Sequence, residues 1–256
     1  MPTEPTENIS GGPAGGARSD SFDRAENPAT AERVIDRLGE LYWEKTYGGQ
    51  DAFVCLVRTI LSQNTTDATS QPAHDALIER YEGPESDLAR TLAAADHDEL
   101  AETIAPAGLQ HQKATSIIQA AERITEEFDN ATEFDRFVRD TTTATVRETL
   151  LEFHGVGPKT ADCVLLFAGG QSGVFPVDTH VHRIYRRLGV APPDADHETV
   201  RESLEATIPP KKCGFGHTAS IQFGREYCTA RQPVCVDDPS ACPLFDLCDR
   251  VGVETD

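Results

Sequence analysis

A chain of 256 residues, 38% of them hydrophobic, is long enough to bury one large or two small cores, and no apolar run approaches the roughly 20 residues of a membrane-spanning helix. Acidic residues number 43 against 23 lysines and arginines, and the formal net charge of −20 argues against a uniformly basic nucleic-acid-binding surface. These values exclude a fibre and a membrane-embedded protein; with no signal-peptide pattern at the N-terminus, an intracellular globular protein is expected.

Residues 1–28 combine Gly, Pro, Ser and acids with almost no large apolar side chain and are expected to form a disordered acidic tail. Beyond them the apolar spacing is helical almost throughout, with no two-residue alternation and no internal repeat, which predicts an all-α fold of about ten short helices. Val34, Leu38, Leu41 and Tyr42 form a first stripe, and Phe53, Leu56, Val57, Ile60 and Leu61 a second. Ile117, Ile118, Ala121, Ile124 and Phe128 form a third, and Val146, Leu150, Leu151 and Phe153 a fourth; all read as core faces. Asp67, Asp87, Asp96 and Thr179 have the chemistry of N-caps, and Gly108, Gly155 and Gly189 mark helix ends.

LLEFHGVGPKTADCVLLF, residues 150–167, reads as helix, two-glycine turn, helix. The glycines permit close approach of a partner, and the first-turn N–H groups of the second helix point outward; the geometry suits a phosphate and also occurs in ordinary helical corners. Pro158 suits the first helical position, which puts Lys159 in the opening turn, where the helix dipole disfavours a cation. The same field opposes protonation, and a neutral amine is a nucleophile, so Lys159 is a candidate catalytic group as well as a candidate surface lysine. VDTHVHR at 177–183 then offers Asp178 near another helix start. It suits an N-cap, and it also suits a proton acceptor or a stabiliser of developing positive charge.

Charge is unevenly distributed. Residues 1–149 carry 28 acids and 13 bases, residues 150–235 carry 9 and 9, and residues 236–256 carry 6 and 1. The neutral middle segment contains the glycine turn and the bases Arg183, Arg186, Arg187, Lys211 and Lys212, and is the expected nucleic-acid face. Only 5 bases are lysine, and such an acid-rich, lysine-poor exterior is expected of a protein working in a high-salt cytosol.

Of 7 cysteines, Cys228, Cys235, Cys242 and Cys248 crowd the C-terminal end with C-x6-C-x6-C-x5-C spacing. For an intracellular protein this is a metal site before it is a disulfide framework, with a four-thiolate iron–sulfur cluster or zinc as the candidates. Long intervening loops suit a bulky cluster better than the tight C-x2-C knuckles of zinc. Cys55 and Cys163 fall on apolar faces and read as core, while Cys213 is unassigned.

Taken together, GVGPKTA, VDTHV and the four-cysteine set resemble endonuclease III, of the helix-hairpin-helix DNA glycosylase superfamily. The likeness runs from about residue 30 to residue 250 through ILSQNTTD, AGLQHQKA, LLEFHGVGPKTA, VFPVDTHVHRI, FGREYCTARQPVC and CPLFDLC. It implies two helical domains flanking a DNA-binding cleft: a six-helix bundle with the helix-hairpin-helix over residues 46–170, and a [4Fe–4S] cluster domain built from 29–45 and 171–256. It implies an enzyme that flips a damaged base out of duplex DNA, cuts its glycosidic bond and then nicks the backbone at the abasic site, acting as a monomer. Lys159 matches the nucleophile that forms a Schiff base, and Asp178 the essential carboxylate. Relatives lacking the lysine omit the lyase step.

By the same resemblance, Gly155, Val156 and Gly157 match the DNA-binding hairpin, where a monovalent cation often bridges hairpin carbonyls and phosphate. Asn64, or the adjacent Gln63, matches the polar residue filling the gap left by the flipped base. Leu109 matches an apolar wedge between bases, and His180 a histidine beside the carboxylate. The usual cluster spacing is C-x6-C-x2-C-x5-C, so this chain carries four extra residues between Cys235 and Cys242. Oxidised pyrimidines are the expected substrate class. The alternatives are a mismatch glycosylase acting on uracil or thymine opposite guanine, and a non-catalytic DNA-binding module with a structural metal.

Overall fold

The computed structural model describes residues 1–4, 17–19, 22–83 and 86–253. In chain order the strand β1 (Ala17–Arg18) precedes helix α1 (Thr30–Leu41) and strand β2 (Lys45–Thr46). Helices α2 (Ala52–Leu61), α3 (Asp67–Tyr81), α4 (Leu88–Ala93), α5 (His97–Thr103), α6 (Gln110–Glu127) and α7 (Ala131–Asp140) follow. After them come α8 (Thr143–Leu151), α9 (Pro158–Phe167), α10 (Thr179–Arg187), α11 (His197–Thr207), α12 (Pro210–Glu226) and α13 (Val234–Asp237). The fold is all-α apart from the two short strands. The described residues fall into two compact units, one within Gly48–Gln171 and a terminal one drawn from Met1–Glu7, Gly16–Tyr47 and Ser172–Asp256.

In the 48–171 unit, α2 is the central element. Phe53, Leu56, Val57, Ile60 and Leu61 are completely buried, and the helix packs on α3, α6, α7 and α9. Helices α4 and α5 cover α6, and α8 packs on α9. Cys55 and Cys163 lie at 0% exposure, so their place is in this core, and burial pushes the Cys55 thiol well above its ordinary range. His74 is buried on α3, where its Nε2 accepts from Arg58 Nε at 2.9 Å and its Nδ1 meets Asp75 Oδ1 at 3.2 Å. Burial, with Arg58, lowers its pKa below the ordinary 6.5. The unfolded chain therefore binds a proton more tightly than the folded one, and stability falls as pH drops through 6.5 toward the depressed folded value. His74→Gln is expected to flatten this part of the stability profile, measured by urea denaturation between about pH 5 and 7.

In the terminal unit, α12 packs against α1, α10 and α11 around Val34, Ile35, Leu38, Phe175, Tyr185, Phe215 and Phe223. Lys212 of α12 is buried and donates to Glu32 at 2.8 Å and Asp36 at 2.6 Å, both on α1. Cys213 belongs to the same core, and burial pushes its thiol up to about 12. The segment expected to be a disordered tail falls partly on residues 5–16 and 20–21, outside the described residues. Of its remainder, Ala17 and Arg18 pair antiparallel with Thr46 and Lys45, and the Phe22 N–H donates to Glu44. Strands of two residues are too short to leave an alternation in the sequence.

Asp87 and Asp96 cap α4 and α5 by accepting backbone N–H bonds. Two cap positions differ from expectation by one residue. Thr66 is the N-cap of α3, with Asp67 in the first turn, where the N–H groups favour an acid. Asp178, not Thr179, caps α10.

Candidate functional site

The α8–α9 hairpin is fixed from both sides. Arg147 of α8 donates to Asp162 of α9 at 2.7 Å, and Asp162 is 1% exposed, so a buried ion pair clamps the two helices one turn from Lys159. Gly155 has φ +76°, and a Cβ there would collide with the Ser116 hydroxyl, so only glycine lets the turn lie against α6. The Val156 side chain is buried and its N–H donates to Phe153 O at 3.1 Å, which anchors the turn. Gly157 is the N-cap of α9, and a Cβ added to it would meet nothing within 4 Å. Pro158 then occupies the first helical position and Lys159, half-buried, the second. The Lys159 charge acts on the Cys55 thiol beneath the helix.

Two loops of the same unit meet this hairpin or each other. Gln63 donates through Nε2 to Gly155 O at 3.0 Å and to Thr160 Oγ1 at 3.1 Å, so its amide holds the hairpin. The adjacent Asn64 is exposed, with left-handed backbone (φ +54°) that asparagine tolerates. Leu109 also has left-handed backbone (φ +50°), where leucine is strained, and its side chain is 54% exposed. A residue not singled out in the sequence joins the two loops. Lys113 is 3% exposed and donates from Nζ to Leu61 O at 2.8 Å and Ala107 O at 2.9 Å. Burial lowers its pKa. Its signal in the sequence was a lone lysine in AGLQHQKA, on a helix face otherwise lined by alanine and isoleucine.

In the terminal unit, Asp178 Oδ1 accepts from Val181 N at 2.8 Å, which sets the carboxylate's orientation at the start of α10. His180 lies on the first turn, its Nδ1 accepting from Arg183 Nη2 at 3.1 Å, and burial lowers its pKa. A Cβ at Gly224 of α12 would stand 2.7 Å from that nitrogen, so the glycine makes room for the imidazole. Three of the five bases expected on a nucleic-acid face, Arg183, Arg187 and Lys212, have other partners, while Lys211 is exposed. Arg183 donates to Cys228 O at 3.0 and 2.8 Å, Arg187 to Thr229 O at 2.7 Å and Ala230 O at 2.8 Å, and Lys212 is the buried partner of Glu32 and Asp36. Bonds from these three heads to fixed acceptors within the unit correct the expectation for them.

Cys228, Cys235, Cys242 and Cys248 line one apolar pocket, about 340 Å³ of space between atoms with its open mouth included, together with Ile184, Leu188 and Phe223. The four extra residues do not separate the cysteines. They form a helical turn and a 3-10 turn, capped where Asp238 accepts from Ser240 N at 2.9 Å, and residues 237–241 face solvent. Arg187 Nη1 and Arg250 N donate toward Cys228 Sγ and Cys248 Sγ at 3.3 and 3.4 Å. Burial raises the Cys242 thiol to about 11 and also raises Cys248. Among the described residues, no three of these sulfurs lie within 4.8 Å of one another. Tetrahedral Zn–S bonds would bring sulfurs to about 3.8 Å, so the pocket fits a bulky thiolate-held group better than one zinc ion.

A helical hairpin with a glycine turn in one unit and an apolar four-cysteine pocket in the other define a class of DNA repair protein, and the comparisons agree. The profile described as HhH-GPD superfamily base excision DNA repair protein matches residues 57–210. Endonuclease III of Thermotoga maritima is 33% identical over 199 residues, covering 78% of this chain and 83% of the relative. A non-covalent endonuclease III–DNA complex superposes with TM-score 0.70 at 26% identity, covering 85% of this chain and 93% of the other. A trapped endonuclease III–DNA covalent intermediate gives TM-score 0.69 at 26% identity over 87% and 97%. The chain belongs to the endonuclease III family of the HhH-GPD superfamily.

Proposed function

We propose that the protein is a bifunctional DNA glycosylase and AP lyase that removes oxidised pyrimidines from duplex DNA in base excision repair. The observation that carries this reading is Lys159 at the second position of α9, directly after the glycine turn, where a structural cation is out of place. Its free amine attacks C1′ of the damaged nucleotide, and the base leaves with the electron pair of the C1′–N bond and takes up a proton. The nitrogen of the new C–N bond loses a proton to solvent, and opening of the sugar ring, whose oxygen takes up a proton, converts that bond to an iminium; Asp178 serves as the essential carboxylate of the reaction. The iminium acidifies C2′; loss of that proton expels the 3′ phosphate, and water then frees the lysine. In this reading Gly155 to Gly157 and the α9 N-terminus hold a DNA phosphate, with a monovalent cation at the turn carbonyls. Exposed Asn64 fills the gap left by the flipped base and Leu109 wedges the stack, while Gln63 and Lys113 hold these loops in place.

Cleavage of a panel of single-lesion duplexes tests the substrate class. The expected result is nicking at oxidised pyrimidines at least about tenfold faster than at uracil or thymine opposite guanine, and the reverse order favours the mismatch alternative.

The pocket cysteines are proposed to hold a [4Fe–4S] cluster, which when bound cross-links the C-terminal segment and supplies a one-electron redox centre. Purified protein is expected to be brown, with acid-labile sulfide, and a Cys242→Ser variant to lose most of the visible absorbance. A colourless wild-type protein with stoichiometric zinc refutes the cluster. The protein is further read as a monomer working in a high-salt cytosol, its acidic exterior screened there.

A further inference from the structure

A second group of metal-ligating side chains lies in the 48–171 unit, outside the residues used above. His97 opens α5, Asp98 follows it, and His111 lies in the first turn of α6, two residues beyond Leu109. One ligand atom from each lies within 4.8 Å of the other two. The two imidazoles are stacked with centroids 5.7 Å apart.

The hydrogen bonds fix the tautomer of His97. Its Nε2 faces His111 O at 3.2 Å and Thr115 Oγ1 at 3.1 Å. The Thr115 hydroxyl already donates to His111 O at 2.9 Å, so both atoms act as acceptors and Nε2 carries the proton. In the neutral ring Nδ1 then presents a lone pair to Asp98 Oδ1, 3.1 Å away. Two lone pairs at that distance need a cation between them, either a proton or a metal. An imidazole whose far nitrogen donates to a backbone carbonyl is also how proteins orient a metal-ligating histidine. Two imidazoles and a carboxylate suit a borderline divalent transition ion.

We propose that His97, Asp98 and His111 form a surface site for a divalent transition-metal ion of the zinc and nickel class, clamping the start of α5 to the first turn of α6 beside the Leu109 loop. The ion brings positive charge to an otherwise acid-rich unit.

The test is calorimetric titration of cluster-loaded protein with Ni²⁺ at about pH 7.5, with thermal melts alongside. One equivalent bound in the micromolar range, a melting temperature raised by a few degrees, and affinity at least about tenfold weaker in both His97→Asn and His111→Asn are expected. His197→Asn is the control, because His197 stacks on His182 at 4.1 Å in the terminal unit and offers a competing imidazole pair. Binding unchanged in His97→Asn and His111→Asn, binding lost only in His197→Asn, or no saturation by about 1 mM Ni²⁺ overturns the proposal.

Discussion

Lys159→Ala should yield no covalent adduct when mixed with abasic duplex and borohydride, whereas the wild-type protein should be trapped as a stable secondary amine. Strand nicking should fall by at least about 10³-fold, the scale on which removal of a covalent nucleophile acts. The fold should not suffer. Lys159 sits where the helix N-terminus disfavours a cation, so the variant should be as stable as the parent or more stable by roughly 0.3–1 kcal/mol in urea denaturation. Loss of the adduct with retained stability is the signature of a residue kept for chemistry at some expense of structure. An adduct of undiminished yield in the variant would transfer the nucleophile's role elsewhere and remove the basis of the proposed reaction.

The second large effect is expected at Lys113. Replacing it with methionine keeps the apolar stem but leaves Leu61 O and Ala107 O without their buried donor. An unsatisfied buried acceptor costs about 1–3 kcal/mol, and relief from burying the ammonium offsets part of the total. A net loss of about 2–4 kcal/mol should lower the melting temperature by roughly 5–12 °C. Because those carbonyls belong to the loops presenting Asn64 and Leu109, binding to a lesion-bearing duplex well below the melting point should weaken by about tenfold or more. Affinity retained alongside a lowered melting temperature would assign Lys113 to the core alone.

The helical character of the chain was legible because its apolar stripes are long: every residue of the Phe53 to Leu61 stripe is fully buried. Caps at Asp87 and Asp96 were legible because each directly precedes the apolar spacing of a helical run. Where two capping residues adjoin, as in Thr66–Asp67 and Asp178–Thr179, side-chain chemistry does not choose between them and backbone geometry does. The misfit of Lys159 was readable from one proline and two glycines, since these fix the helix start. Arg183 and Arg187 of α10 misled because a guanidinium that binds phosphate and one that ties down carbonyls have the same sequence signature. Only the location of Cys228 O, Thr229 O and Ala230 O separates the two. Lys113 was hidden for a similar reason: its partners are backbone carbonyls, which every residue has.

The bond between Lys212 and Glu32 joins positions 180 residues apart. During synthesis at about 5–20 residues per second, α1 waits roughly ten to thirty seconds before the helix that neutralises its acids is made. The stretch 48–171 leaves the ribosome whole within that interval and can fold first, with the acidic α1 trailing from its beginning as a soluble strand of chain. The terminal unit can close only after Lys212 is made, and the four cysteines emerge later still, when the 48–171 unit has had time to fold.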